Sequence, residues 1–508
     1  MFGGIGRRYL FVFGVVLGVG VFGLSGGGCA RRGLVGSVGV GGCSPVRGQK
    51  YEANWESMKQ YKVPRWYNDA KFGIFIHWGI YSVPAYASEW YPRQMYQKGH
   101  RAYNYHLEHY GPQSQFGYKD FIPSFKADKW DPEAWAELFE KAGAKYVVPV
   151  AEHHDGFPMY ACSYTSWDAS EIGPRRDVLG ELGAAVRRHG MKLGASSHRA
   201  KNWSYYFYED GFDTVDPRYS GLYGRAHGHD EPADEEFLED WYARTVEIVD
   251  KYQPDLMWFD FGFERPEFEP YRRKFAAYYY NKAIEWGKEV AINYKHDAFP
   301  SWAAVLDIER GKLDSIREAF WQTDTSVCLR SWGYIQDHEY RSVDSLVDEL
   351  VDIVSKNGCL LLNVGPRPDG TIPEEQQRIL LEIGQWLDVN GEAIYGTTYW
   401  RTFGEGPTRT KAGYHRERRQ KKFTAEDIRF TSKGDKLYAI VLDWPGGELV
   451  IRTLGSRSQL CPQQITEAAM LGSSEKPGWS RDEEGLKITM PSQRPCDHAY
   501  AFRLTLAN

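Results

Sequence analysis

A chain of 508 residues, 42% hydrophobic and 26% charged, is long enough for two to four domains, or for one large barrel plus an accessory module, and is too apolar to be disordered. Its 62 basic and 68 acidic residues leave a formal net charge of −6, which excludes the basic surface needed for nucleic-acid binding. The aromatic load is high, with 18 Trp, 34 Tyr and 25 Phe, and aromatic faces stack on sugar rings as well as filling a large α/β core.

Residues 1–43 read as an export leader. Arg7 and Arg8 precede the apolar run 9–24, Gly- and Ser-rich sequence follows, and the first acidic residue is Glu52. The run is too short and too Gly-rich for a comfortable membrane span. LSGGGC, ending at Cys29, and VGGC, ending at Cys43, both resemble a bacterial lipobox, so attachment to a membrane through a lipidated Cys29 or Cys43 is expected. The second site follows its own Arg31-Arg32 and a short apolar stretch, which points to a true start downstream of Met1. The expected location is the periplasm or the outer membrane and cell surface. The remaining cysteines, Cys162, Cys328, Cys359, Cys461 and Cys496, have no CxxC spacing; this argues against zinc and leaves buried thiols or a Cys461–Cys496 disulfide.

Beyond residue 50, short apolar runs alternate with helical patterns, the signature of parallel β/α units. Strands are expected at 72–79, 146–154, 192–198, 255–261, 289–294, 304–309 and 359–365, and helices at 131–142, 177–189, 236–252, 271–287, 342–357 and 374–389. Seven or eight such units with no GxGxxG turn fit a (β/α)8 TIM-like barrel over 50–395 better than an open doubly wound sheet. From 396 to 508 the text changes to alternating strands such as KLYAIVL and ELVIRTL separated by Gly and Pro turns, which reads as a small C-terminal antiparallel β-sandwich.

In such a barrel the chemistry sits at the C-terminal strand ends. The first apolar run closes on His77-Trp78, the second on His153-His154-Asp155, the third on His198, the fourth on Asp260, the fifth on Asn293 and the sixth on Glu309. Any one of these is as well explained as a satisfied structural residue; six in succession are hard to obtain from packing alone. Imidazoles, carboxylates and indoles suit hydrogen bonding to hydroxyls, ring stacking and acid/base work. A zinc site is disfavoured, because His153 and His154 should point to opposite faces of a strand. No metal and no cofactor are expected. A glycan-binding protein without a working carboxylate pair is the competing reading.

FGIFIHWGIYSVPAYASEWY, AEHHDGF, LMWFDFG, SWGY, LLNVGPRPDGTIP and NGEAIYG occur in that order and together resemble glycoside hydrolase family 29, the α-L-fucosidases; FTAEDIRFTSKGDKLYAIVL resembles that family's C-terminal β-domain. The resemblance implies a retaining exo-hydrolase of terminal α-L-fucose, acting on a fucosylated oligosaccharide or polysaccharide without a cofactor, with α-L-galactosidase activity as the related alternative. It places the nucleophile at Asp260, sugar-binding or ring-packing roles at His77, Glu89, Trp90, His153, His154 and His198, and pocket-lining indoles at Trp258 and Trp332. Oligomeric state is left open.

The proton donor is the less uniform part of that family. Where several members carry a WE pair before the SWGY-like segment, this chain has Gln322, whose amide cannot serve as an acid. An ungapped match to the animal enzymes puts Glu309 at their upstream acidic position, and Glu309 also ends the run AVLDI. Glu318 and Asp307 are the weaker candidates, and a salt bridge from Glu309 to Arg310 or Arg317 is the plain structural alternative.

Overall fold

The computed structural model describes residues 50–507. The leader at 1–43, with Cys29 and Cys43, lies outside the described residues. Among those described, no helix is long and apolar enough to cross a membrane.

Eight parallel strands close into a barrel in sequence order: β1 Phe72–Ile76, β2 Tyr146–Glu152, β3 Lys192–Ser197, β4 Leu256–Phe259, β5 Ala291–Tyr294, β6 Val305–Asp307, β7 Trp321–Ser326 and β8 Gly358–Val364. Strands covered on both faces should be apolar throughout, and every residue of β1, β2 and β8 is buried. Seven strands were expected. The missed one is β7, WQTDTS, whose polar text hides a wholly buried strand. It pairs with β8 from Trp321↔Gly358 to Ser326↔Asn363 and with β6 through Leu306↔Trp321. The helices Pro132–Lys141, Val178–Arg188, Glu235–Tyr252, Glu269–Trp286, Val343–Ser355 and Glu374–Asn390 fall where the 3.6-residue pattern puts them.

Strand alternation divides the apolar residues in two. Phe75, Tyr146, Val148, Val150, Leu256, Trp258, Ala291, Val305, Cys359 and Leu361 fill the barrel, while their neighbours, such as Ile74, Val147, Met257 and Leu360, pack outward under the helices. Gly73 is part of this fit: a Cβ there would meet the Tyr146 ring at 2.4 Å. Polar groups also occupy the barrel, one level below its mouth. Tyr67 Oη donates to Gln322 Oε1 (2.6 Å) and lies 2.9 Å from Asn293 Oδ1, Tyr146 Oη donates to Gln322 Oε1 (2.8 Å), and Trp258 Nε1 donates to Asp307 Oδ2 (3.0 Å).

The C-terminal strands are β9 Thr398–Glu405, β10 Ile428–Lys433, β11 Lys436–Val441, β12 Glu448–Ile451, β13 Ile465–Met470, β14 Trp479–Arg481, β15 Leu486–Thr489 and β16 Tyr500–Leu506. They form a five-stranded sheet, β13-β16-β11-β10-β9, and a three-stranded sheet, β12-β15-β14, with antiparallel pairing throughout. Phe430, Leu437, Phe502, Leu449 and Ile488 join both sheets in one core. The larger sheet's other face meets the barrel helices: Arg429 Nε donates to Asp352 Oδ1 (2.7 Å), and Trp386 Nε1 donates to the Ala499 carbonyl (2.8 Å). Cys461 and Cys496 are free thiols, as are the other three described cysteines, so the disulfide left open by the sequence does not form.

Candidate active site

The inward alternation carries straight up to the mouth. Two residues beyond Phe75 stands His77, beyond Trp258 stands Asp260, beyond Asp307 stands Glu309, and beyond Gln322 stands Asp324. On β5 the same step from Asn293 reaches Lys295. Asn293 is therefore a level too deep for the site, bonded to Tyr67 and, through Nδ2, to the Val305 carbonyl (3.3 Å). Strand β2 breaks the rule. Its register with β3 shifts between Val150 and Glu152, and the strand ends there, so both His153 and His154 arrive at the mouth where opposite faces were expected.

All ten expected residues, His77, Glu89, Trp90, His153, His154, His198, Trp258, Asp260, Glu309 and Trp332, line one cavity of about 440 Å³. Phe261, Lys295, His296, Asp324, Tyr414 and His415 complete it and were not anticipated. Lys295 was legible as the next inward step after Asn293. Asp324 required recognising β7, and Tyr414 and His415 come from the C-terminal part of the chain. Asp155 turns away to accept from Tyr118 Oη (2.6 Å), and Trp78 packs against Trp130 and Trp135 outside the site.

Asp260 is the electrostatic centre. Oδ2 lies 3.0 Å from His198 Nδ1 and 3.1 Å from His154 Nε2, and Oδ1 lies 2.9 Å from Lys295 Nζ. Burial works to raise this carboxyl, but Lys295, His198 and His154 outweigh it and hold Asp260 well below the usual carboxylate range. Lys295 Nζ also lies 2.6 Å from Glu309 Oε2 and 3.5 Å from Asp324 Oδ2. The burial of Lys295 opposes its charge, yet Asp260, Asp324 and Glu309 keep it protonated. Asp324 is pushed well above its ordinary value by burial and by Asp307, against the pull of Lys295.

Burial keeps the imidazoles of His77, His153 and His198 neutral. His77 is lowered well below its usual value, and Nδ1 donates to Asn363 Oδ1 (2.7 Å). The amide is oriented by Nδ2 donating to the Trp332 carbonyl (2.7 Å), which leaves His77 Nε2 as an acceptor. His198 is lowered to about 4, burial outweighing Asp260, and Nε2 accepts from Ser196 Oγ (2.6 Å). His153 is lowered by burial and by its three histidine neighbours, and its buried Nδ1 has no hydrogen-bond partner. Glu89 is raised by burial, while Oε2 accepts from Trp332 N–H (2.8 Å) and Ser331 Oγ (3.0 Å). Trp90 and Phe261 lie nearly parallel, 6.1 Å apart, and Trp332 leans on His77 at 5.2 Å.

Two donor sets, His77/His153/His198 and His154/His198/Asp260, bring ligand atoms within 4.8 Å of one another. His198 is common to both, with one nitrogen on Asp260 and the other on Ser196, so neither set offers three unengaged donors. The alternatives to Glu309 separate by position. Gln322 and Asp307 lie in the layer beneath the cavity, and exposed Glu318 precedes β7 at the opposite end of the barrel. Glu309 pairs with Lys295 and not with Arg310, whose guanidinium is taken by Glu417.

Lys295 Nζ bridges Asp260 and Glu309, so the two facing oxygens lie no further apart than its 2.9 Å and 2.6 Å contacts laid end to end. Carboxylates about 5–5.5 Å apart are the working parts of a retaining glycoside hydrolase, and the C-terminal mouth of a barrel is where such enzymes carry them. The family model described as alpha-L-fucosidase matches residues 41–392, and that of the alpha-L-fucosidase C-terminal domain matches 420–505. The rat tissue alpha-L-fucosidase is 32% identical over 495 residues, covering 94% of this chain and 96% of the relative; the human tissue enzyme is 33% identical over 484 residues, covering 90% and 92%. The structure of the Thermotoga maritima alpha-fucosidase in complex with fucose superposes with a TM-score of 0.73 at 33% identity, over 90% of this chain and 100% of that one. The chain belongs to the α-L-fucosidase family, glycoside hydrolase family 29.

Proposed function

We propose that this enzyme removes terminal α-L-fucose from fucosylated glycans by double displacement, Asp260 attacking the anomeric carbon and Glu309 first protonating the departing oxygen, then deprotonating the incoming water. The observation that carries this is the bridging of the two carboxylates by Lys295, whose 2.9 Å and 2.6 Å contacts draw their facing oxygens together, in keeping with the close carboxyl pair, about 5–5.5 Å apart, of retaining enzymes. An ionised Asp260 is a competent nucleophile. Neutral His77 and His153 suit vicinal hydroxyls, and Trp90 and Phe261 offer apolar faces to the methyl group of a 6-deoxy sugar. Trp258, backed by Phe75 at 4.9 Å, lines the cavity and favours entry of a chain end, hence exo-action. Asp260→Gly should lose turnover on an aryl fucoside and regain it with external azide, which enters the space of the missing carboxylate. Failure of that rescue, together with labelling of another residue by a fluorinated fucoside, refutes the assignment.

The leader supports export and lipid attachment at Cys29 or Cys43, in the periplasm or at the outer membrane. Mass spectrometry of the native protein should find a chain beginning at one of these cysteines and bearing acyl groups; an unprocessed Met1 in the membrane or periplasmic fraction refutes it.

A further inference from the structure

The barrel does not build its mouth alone. Between β9 and β10 the chain leaves the C-terminal sheet, and residues 406–427 include an arm that returns to the barrel. Gly413 and Lys312 exchange both backbone hydrogen bonds, at 2.9 and 3.2 Å, and the N–H groups of His415 and Arg416 donate to the carbonyls of Glu309 and Arg310, both at 2.9 Å. The arm thus pairs with the segment that carries Glu309. Buried Glu417 pins it further, accepting from Thr325, Arg310 and Arg341, the last at 3.1 Å. Tyr414 Oη accepts from the His296 backbone N–H (2.9 Å), and the two rings lie 4.9 Å apart.

The side of the pocket on which this happens follows from the chemistry. A proton donor must stand beside the glycosidic oxygen, so the leaving group lies on the donor's side. Residues flanking Glu309 from outside are therefore the ones the leaving group meets. His415 and Glu309 also border a second depression of about 280 Å³, which shares Glu417 and Arg418 with a larger cleft of about 890 Å³. Glu309 and His415 are thus walls of both the catalytic pocket and the neighbouring depression.

We infer that Tyr414 and His415 form the subsite for the sugar attached to the fucose, Tyr414 as a fixed stacking face and exposed His415 as a hydrogen-bonding partner for its hydroxyls. The C-terminal unit then carries selectivity for the leaving group. This rests on the hydrolase reading above. The test compares kcat/KM of wild type, Tyr414→Ala, His415→Ala and the double variant on an aryl α-L-fucoside and on the best-cleaved of the α1,2-, α1,3-, α1,4- and α1,6-linked fucosyl disaccharides, with thermal melting to confirm folding. The ratio of disaccharide to aryl-fucoside kcat/KM should fall roughly tenfold in the double variant, the size expected for loss of a sugar contact. A ratio unchanged in a folded double variant overturns the inference, whether activity is retained or lost equally on both substrates. A wild-type enzyme inert on the aryl fucoside and all four disaccharides overturns the hydrolase reading and this inference with it.

Discussion

Replacing Lys295 with methionine keeps most of the length of the side chain and removes a cation that touches Asp260, Glu309 and Asp324 together. Coulomb's law at an effective dielectric of about 20 gives about 4 kcal/mol for unit charges about 4 Å apart, and Lys295 lies closer than that to Asp260. Losing half of it, about 2 kcal/mol at about 1.4 kcal/mol per pH unit, moves the pH at which Asp260 ionises upward by about 1.5 units. The sign is set by the role. The proposed nucleophile must act as the carboxylate, the native titration of Asp260 is depressed, and activity should be lost as pH falls through it. Removing Lys295 brings that loss to higher pH. The acidic limb of kcat/KM for an aryl fucoside should therefore move toward neutrality by at least about one unit in Lys295→Met, with lower stability, because uncompensated buried charges cost about 3–5 kcal/mol. A folded Lys295→Met enzyme whose acidic limb coincides with that of the wild type refutes the electrostatic account of the site.

Three further outcomes are expected. Asp260→Ala should lose several orders of magnitude in turnover while melting as the wild type does, well beyond the roughly 1–3 kcal/mol of a lost hydrogen bond; residual activity within tenfold of the wild type excludes it as the nucleophile. Glu309→Ala should slow substrates with poor leaving groups strongly and those with very good ones little, since only the former need protonation; equal losses on both, measured across a series of aryl fucosides, remove it as the donor. Asp352→Asn should lower the melting temperature by several degrees, because its carboxylate joins Lys356 (2.7 Å) and Arg429 (2.7 Å) across the junction of barrel helix and C-terminal sheet. Burial opposes ionisation of Asp352, but Lys356 and Arg429 hold it far below the ordinary range, so this stabilisation is complete above the unfolded carboxyl's titration, about pH 3.9, and fades below it; calorimetry at two pH values measures both effects.

Local text determined most of the barrel and the inner shell of its site. Runs such as FGIFI and LMWF are buried on both faces, read as strands without ambiguity, and project the next inward residue, His77 or Asp260, into the mouth by simple alternation. The six helices were legible by their 3.6-residue period for the same reason, that the signal lies within one element. Tertiary structure alone decided what depends on partners distant in sequence. Strand β7 is polar because Gln322 is satisfied by tyrosines from before β1 and from β2, so no hydrophobic pattern announces it. His153 and His154 share a mouth because a bulge against β3 turns the strand. Lys295 becomes the hub of the site only once three carboxylates from three strands converge on it, and Tyr414 and His415 reach Glu309 from more than a hundred residues away through backbone bonds that carry no side-chain signature. Periodicity records which face of its own element a residue occupies; which groups meet across the barrel is set by closure of the whole sheet and by the docking of the second unit on it.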